Sequence, residues 1–253
     1  MMDSFRLLCI YRPHILELEY KDKYQKIDLL SDKFLIAKSN TISIYYSAHN
    51  EVINKKADIL IVGICPGFRQ MEMSIRYSKQ LLNKNLSDNE ILRRVKLRCR
   101  LFGSTRSNLI DMLNNLEVYK SLKISSSDIL FDDNYDRLHT TSLIRYPVFI
   151  NGNNYNGNSP SLLKNEFLFD IASRSIKEEI NSLGDIKLIL PLGKAVEKFL
   201  FSIYEENENI YRRIIRGFPH PSGLNGHRMK FFKENFNDLK LQFGSLLNIK
   251  KIN

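Results

Sequence analysis

Two stretches of this 253-residue chain gather side chains that could do chemistry at close quarters. The first, Gly63-Ile64-Cys65-Pro66-Gly67, sets a thiol inside a Gly-Pro-Gly turn. The second, FPHPSGLNGHR from Phe218 to Arg228, carries two histidines, a serine, an asparagine and a lone leucine among prolines and glycines. Proline and glycine forbid regular helix or strand there, so a shaped loop is expected. An imidazole is well suited to donate a hydrogen bond or a proton near neutral pH. A thiol reacts only as its thiolate, and a buried free cysteine is more often inert than reactive.

These residues need a scaffold, and the chain spells one out. Residues 59–63, ILIVG, form a short apolar run ending in the Gly-Pro-Gly turn, which reads as a central parallel strand buried on both faces. Ser87 and Glu90 are spaced as a capping box before a helix, and Leu109, Met112, Leu113 and Leu116 recur at helical spacing. LHTTSLIRYPVF reads as a second strand running into a proline-ended loop, DIKLILPLG as a third, with helices after each. TISIYYSAH, near the start, reads as a strand or an extended lead-in. Strand–helix alternation predicts a three-layer α/β/α sandwich around a central, mostly parallel sheet. Residues 1–56 are expected as an N-terminal extension packed on a domain of residues 57–253. Chemistry in such a sheet collects beyond the carboxyl ends of the strands, where GICPGF, TTSLIRYP and PLGKA all fall.

Composition narrows the partners. Lys and Arg number 38 against 28 Asp and Glu, a net charge of +10, so a polyanion such as DNA is a reasonable partner, with solubility the plain alternative. No run of about 18 apolar residues offers a membrane span, and the opening residues are too soon interrupted by charge and proline for a secretory signal. Cys9, Cys65 and Cys99 are widely spaced, which argues against a zinc site or disulfide framework and suggests a reducing cytoplasm. The five histidines show no metal-ligand spacing, so no metal and no cofactor are expected.

GxxPG after a buried strand and HPSxxN near the C-terminus together resemble the uracil-DNA glycosylase superfamily. FGSTRSNLIDML, TTSLIRYP and LPLGKA resemble its intermediate landmarks in the right order, over residues 57–240. The GICPG variant and YPVFINGNNYNG look like a little-characterised bacterial branch. The resemblance implies an enzyme that flips a nucleotide into a pocket, breaks its N-glycosidic bond and stabilises the anionic base that leaves. By the same resemblance His220 is the hydrogen-bond donor to the base, Ser222 a phosphate contact, and Leu224 the apolar wedge that enters the stack. Asn225, Arg228 and Lys194 join them on the DNA side. Gly63, Ile64, Pro66, Gly67, Phe68, Phe102, Ser142 and Asn156 line the base pocket. Three scattered cysteines cannot hold the iron–sulfur cluster of some branches. The protein is expected to act as a cytoplasmic monomer.

Departures from the family pattern carry information of their own. Where relatives present an acid that handles water, this chain has Ile64 and Cys65. Cys65 and Glu72 stand beside His220 as catalytic candidates, with Asp111 a further carboxylate that can equally face solvent. Ser142 occupies the place of an asparagine that reads the uracil edge, which enlarges the pocket and loosens base choice. The basic stretch Arg93 to Arg100 reads either as a solvated helix or as a DNA-facing lid. With the polar NGNNYNG loop, these changes favour a modified pyrimidine, such as glucosylated hydroxymethylcytosine of phage DNA, with uracil as the other substrate. Repair and antiviral defence are the matching settings. No lysine is identifiable as a Schiff-base nucleophile, so a monofunctional hydrolase is expected. A catalytically silent DNA-binding protein of the same fold and a nucleotide-processing enzyme are the competing readings.

Each residue also has a plain structural alternative. His220 could cap a turn, Leu224 could pack inward, Phe102 could be core, and the Gly-Pro-Gly turn could simply join strand to helix.

Overall fold

The computed structural model describes residues 7–101, 103–132 and 136–247. The chain opens with helices α1 (Leu7–Glu17) and α2 (Lys26–Leu29), then strands β1 (Leu35–Ser39) and β2 (Ile42–Tyr45). Strand β3 (Ile59–Gly63) turns into α3 (Phe68–Leu82), followed by α4 (Asp88–Cys99), α5 (Ser104–Asn115) and α6 (Val118–Leu122). Next come β4 (Leu138–Ser142), β5 (Val148–Ile150), β6 (Asn153–Asn154), α7 (Glu166–Ser182) and β7 (Leu188–Pro191). Helices α8 (Lys194–Ile203), α9 (Glu208–Tyr211), α10 (Arg228–Glu234) and α11 (Phe236–Leu247) complete the described chain.

The central sheet is parallel, in the order β4-β3-β7. Gly63 lies opposite Ser142, and Val62 opposite Pro191, so the three strands end level. Beyond β7, Ile189 forms a parallel bridge with Ile214, which brings residues 213–215 alongside as a further line. Alternation along β3 explains its unbroken apolar sequence. Leu60 and Val62 pack with Ile176, Ile180 and Val196 of α7 and α8. Ile59 and Ile61 face the other way, onto Leu109 and Leu113 of α5 and Phe243 of α11. Each fully buried aliphatic side chain of this kind contributes about 1.5–3 kcal/mol. The result is the expected α/β/α sandwich.

One part goes beyond the expectation. LHTTSLIRYPVF holds a strand and its proline-bearing loop, but a second strand follows: β4 belongs to the parallel sheet, whereas β5 joins an antiparallel sheet ordered β1-β2-β5-β6, with Ser43 opposite Phe149. The bend at Tyr146-Pro147 hands the chain from one sheet to the other. A third apolar cluster then joins α1, α3 and α4 to Phe34, Tyr46 and Phe149, with the Tyr11 and Tyr46 rings stacked 4.1 Å apart.

Helix α4 starts at its expected cap, where the Glu90 N–H donates to Ser87 Oγ at 3.3 Å. It is more than a solvated helix. Arg93, Arg94 and Arg98 are exposed, but Lys96 and Arg100 are buried. The Lys96 ammonium donates to Asn50 Oδ1 at 2.8 Å and to the Thr140 carbonyl. Behind β4, His139 Nε2 meets the Glu179 carboxylate, whose other oxygen accepts from Arg145 at 3.3 Å. Among the described residues no helix is long and apolar enough to cross a membrane.

Candidate active site

The four strand-end segments converge, and glycine makes the convergence possible at two places. Gly157 sits at φ +88°, and a Cβ there would lie 2.2 Å from Ile64 Cδ1 and 3.5 Å from the Ala195 methyl. The NGNNYNG loop therefore folds directly over the ends of β3 and the start of α8. Asn154 of the same loop accepts the Phe68 N–H at 2.9 Å, supplying the partner that the first turn of α3 lacks from Gly67. Cys65 Sγ lies 3.6 Å from the Tyr155 carbonyl, and burial pushes its thiol up to about 12. That thiol stays neutral, so Cys65 serves as wall rather than nucleophile. Across from it, Ser142 Oγ lies 3.6 Å from where a Gly63 Cβ would stand.

The second glycine is Gly193, at the turn from β7 into α8. Its φ of +90° and ψ of 164° lie in a region essentially reserved for glycine. A Cβ there would stand 3.0 Å from the His220 Cβ, so the β7 turn is in contact with the histidine. Gly193→Ala is expected to cost about 1–3 kcal/mol. It should also lower activity by more than that loss accounts for, because His220 must move. Thermal melts read beside activity check this; an unchanged melt and rate would show the contact to be slack.

Phe218 anchors the loop in the core, edge-on to Phe232 and Phe243. From there the backbone holds His220 in one protonation pattern. The Ser222 N–H donates to His220 Nδ1 at 3.1 Å, so Nδ1 must accept and the ring proton resides on Nε2. Burial lowers the imidazole pKa below 6.5, which keeps the ring neutral at pH 7. Asn225 Nδ2 donates to the His220 carbonyl at 3.1 Å and Arg228 Nη1 to the Ser222 carbonyl at 2.8 Å. From α5, Asn108 Nδ2 donates to the Pro221 carbonyl at 2.8 Å, while Ser104 Oγ crowds Gly223. On this braced loop Leu224 stands 98% exposed, with nothing of the protein to bury it.

The model of the uracil DNA glycosylase superfamily matches residues 51–240, which include both motifs. The chain belongs to that superfamily. This superfamily member is 37% identical over 220 residues to the uncharacterized protein YoxB of Bacillus subtilis (strain 168), covering 87% of this chain and 86% of that one. Among solved structures it is similar to wild-type SMUG2 of Pedobacter heparinus, with a TM-score of 0.44 and 15% identity over 76% of this chain and 77% of that one.

Not every candidate residue of this uracil-DNA glycosylase relative reaches the strand ends. Glu72 does not: it is 5% exposed, ion-paired to Arg76 at 2.6 Å, and accepts the Tyr24 N–H at 3.2 Å. Its carboxylate belongs to the packing of the N-terminal segment on α3. Phe68 opens α3 with its ring edge-on to Phe149, in the third cluster. Asn156 is exposed, and its Oδ1 takes the Asn158 N–H at 3.1 Å. Lys194 is exposed at the start of α8. Phe102 lies outside the described residues. Asn225 and Arg228 brace their own loop, whatever else they touch. Asp111 lines a cavity beside that loop, away from the turn of β3. Sequence reading passed over Asn154, Asn108 and Ser104. Each left a signal of its stretch alone: Ser104 and Asn108 lie in FGSTRSNLIDML, and Asn154 is one of four asparagines in a seven-residue loop.

Proposed function

We propose that this protein is a monofunctional DNA glycosylase that flips a pyrimidine nucleotide out of DNA and hydrolyses its N-glycosidic bond. Membership of the superfamily supports a DNA glycosylase-type activity. The observation that carries the reading is the neutral imidazole of His220, clamped at Nδ1 by the Ser222 N–H and left with a donor at Nε2. As the bond from the sugar C1′ to the base nitrogen breaks, its electron pair leaves with the base and the sugar becomes oxocarbenium-like. An Nε2–H placed at the base's carbonyl oxygen stabilises that anion without first needing a proton from solvent. Water then adds to C1′ and releases a proton, leaving an abasic site.

Positions 64 and 65 supply no carboxylate, and Glu72 is engaged elsewhere. The reading therefore rests on stabilising the leaving base rather than on activating the water. Ser142, at the end of β4 beside Gly63, is the residue we assign to the base edge. Its short side chain leaves room for a substituted pyrimidine, and a glucosylated hydroxymethylcytosine of phage DNA, or uracil, is the base we expect. Leu224 is the wedge, and Ser222 and Lys194 meet phosphates. The protein works in this reading as a cytoplasmic monomer without metal, cofactor or iron–sulfur cluster, in repair or in defence against phage.

Incubation with DNA containing uracil, hydroxymethylcytosine or glucosylated hydroxymethylcytosine tests the proposal through the free base released. Release of one base names the substrate. Tight, salt-sensitive binding with no release from any substrate would instead favour the catalytically silent DNA-binding reading, which Ile64 and the neutral Cys65 thiol motivate.

The pH profile offers a second check. A protonated His220 carries a hydrogen on Nδ1, which would face the Ser222 N–H and break the clamp. Because burial sets the pKa below 6.5, activity should hold as pH falls through 6.5 and decline only below it. A rate already halved at pH 7 would contradict that assignment.

A further inference from the structure

A cavity of about 720 Å³ lies beside the Leu224 loop, within the usual size range of small-ligand sites. Its lining includes Asn108, Asp111, Asn115 and Tyr119 on one side and Arg228 on the other. Two of these residues also hold the loop, Asn108 through the Pro221 carbonyl and Arg228 through that of Ser222. The cavity thus begins at the backbone that carries Leu224. From Asn108 to Asn115 it follows α5 for about 10 Å, roughly three times the 3.4 Å rise between stacked bases.

Its chemistry selects against phosphate. One cation, Arg228, and one anion, Asp111, line it, so it lacks the positive excess of the chain as a whole. Amide and hydroxyl groups supply the remaining polarity, in the donor and acceptor pairs that match nucleobase edges. Asn108 and Asn115 each give one amide N–H to a backbone carbonyl, of Pro221 and Asp111, which leaves the second N–H and the amide oxygen of each as a donor and acceptor pair. Tyr119 adds a ring on which a base can stack. Finally, half-buried Arg228 uses Nη1 on the Ser222 carbonyl, and the fork of its guanidinium carries further N–H donors than that bond takes up.

We propose that this cavity receives an unpaired nucleobase adjoining the flipped nucleotide, either the partner orphaned across the duplex or a neighbour in the same strand. When Leu224 enters the stack a base loses its pairing, and the cavity gives that base a polar berth next to the wedge. The proposal rests on the DNA-glycosylase reading, so the test separates the two. Duplexes bearing a tetrahydrofuran abasic analogue carry 2-aminopurine either opposite the gap or next to it, and binding and fluorescence are measured with wild type, Asn115→Ala and Asn115→Glu.

Wild type should change the fluorescence at one of the two positions, which identifies the source of the base. Asn115→Ala should weaken binding to the gapped duplex about 3–10-fold and Asn115→Glu more, with neither altering affinity for the intact duplex. Variants indistinguishable from wild type in both readouts would overturn the cavity assignment and leave the glycosylase reading standing. Wild type that binds neither duplex would overturn the glycosylase reading, and this proposal with it.

Discussion

His220→Ala is expected to lower base release by about 10²–10³-fold at saturating protein, beyond whatever DNA affinity the unclamped loop loses, the reduction typical of removing one donor from an oxyanion site. The side chain does two jobs, because its Nδ1 accepts the Ser222 N–H and its Nε2–H is the donor offered to substrate. His220→Asn separates them. The asparagine Oδ1 can still accept the Ser222 N–H, so the loop keeps its shape, but nothing reaches as far as Nε2. If the donor is what matters, the asparagine variant is as slow as the alanine variant. Single-turnover release, with affinity read separately, checks this, and an asparagine variant close to wild type would sink the assigned role.

Glu179→Ala is expected to cost about 3–5 kcal/mol of stability, since it leaves buried partners without their anion. Glu179 is fully buried between His139 and Arg145. Burial by itself opposes its ionisation, but the hydrogen bond from His139 and the charge of Arg145 outweigh it and hold the carboxyl down to about 2. A carboxyl depressed from 4.5 contributes stability that is present above that value and lost as pH falls towards 2. Glu179→Gln keeps an acceptor for His139 and should cost less. Denaturant midpoints at constant slope give the comparison. At pH 7 the alanine variant should melt on the order of 10 °C lower. A variant as stable as wild type at that pH would show that the pair is not a stabilising element.

How much of this was legible in the sequence depends on the reach of each interaction. Strand β3 declared itself because both its faces are buried, and Ser87 because a cap bonds three residues along. The His220 loop was visible through its prolines and glycines. The clamp within that loop is just as local, yet only coordinates reveal that Nδ1 is the acceptor. Contacts made at long range were silent. Asn154 caps a helix that starts 86 residues earlier, and Lys96 finds its acceptors 44 and 46 residues away. A lysine in a basic run reads as surface, and nothing in RRVKLRCR distinguishes the buried Lys96 and Arg100 from their exposed neighbours. Glu72 was misjudged for the same reason. Its proximity to the Gly-Pro-Gly turn in sequence says nothing of Tyr24, which claims its carboxylate from 48 residues upstream.

The carbonyls of Leu138 and Thr140 point away from β3, the first accepting from Asn54 at 3.1 Å and the second from Lys96. They belong to the outermost strand of the parallel sheet, where unpaired backbone groups invite another chain to add on. Asn54 and the Lys96–Asn50 pair close that margin without supplying a strand. A shortened protein starting after Asn54 would lose one of these seals and the support of the other. It would present a normally buried strand with open hydrogen-bonding positions, and self-association would compete with folding.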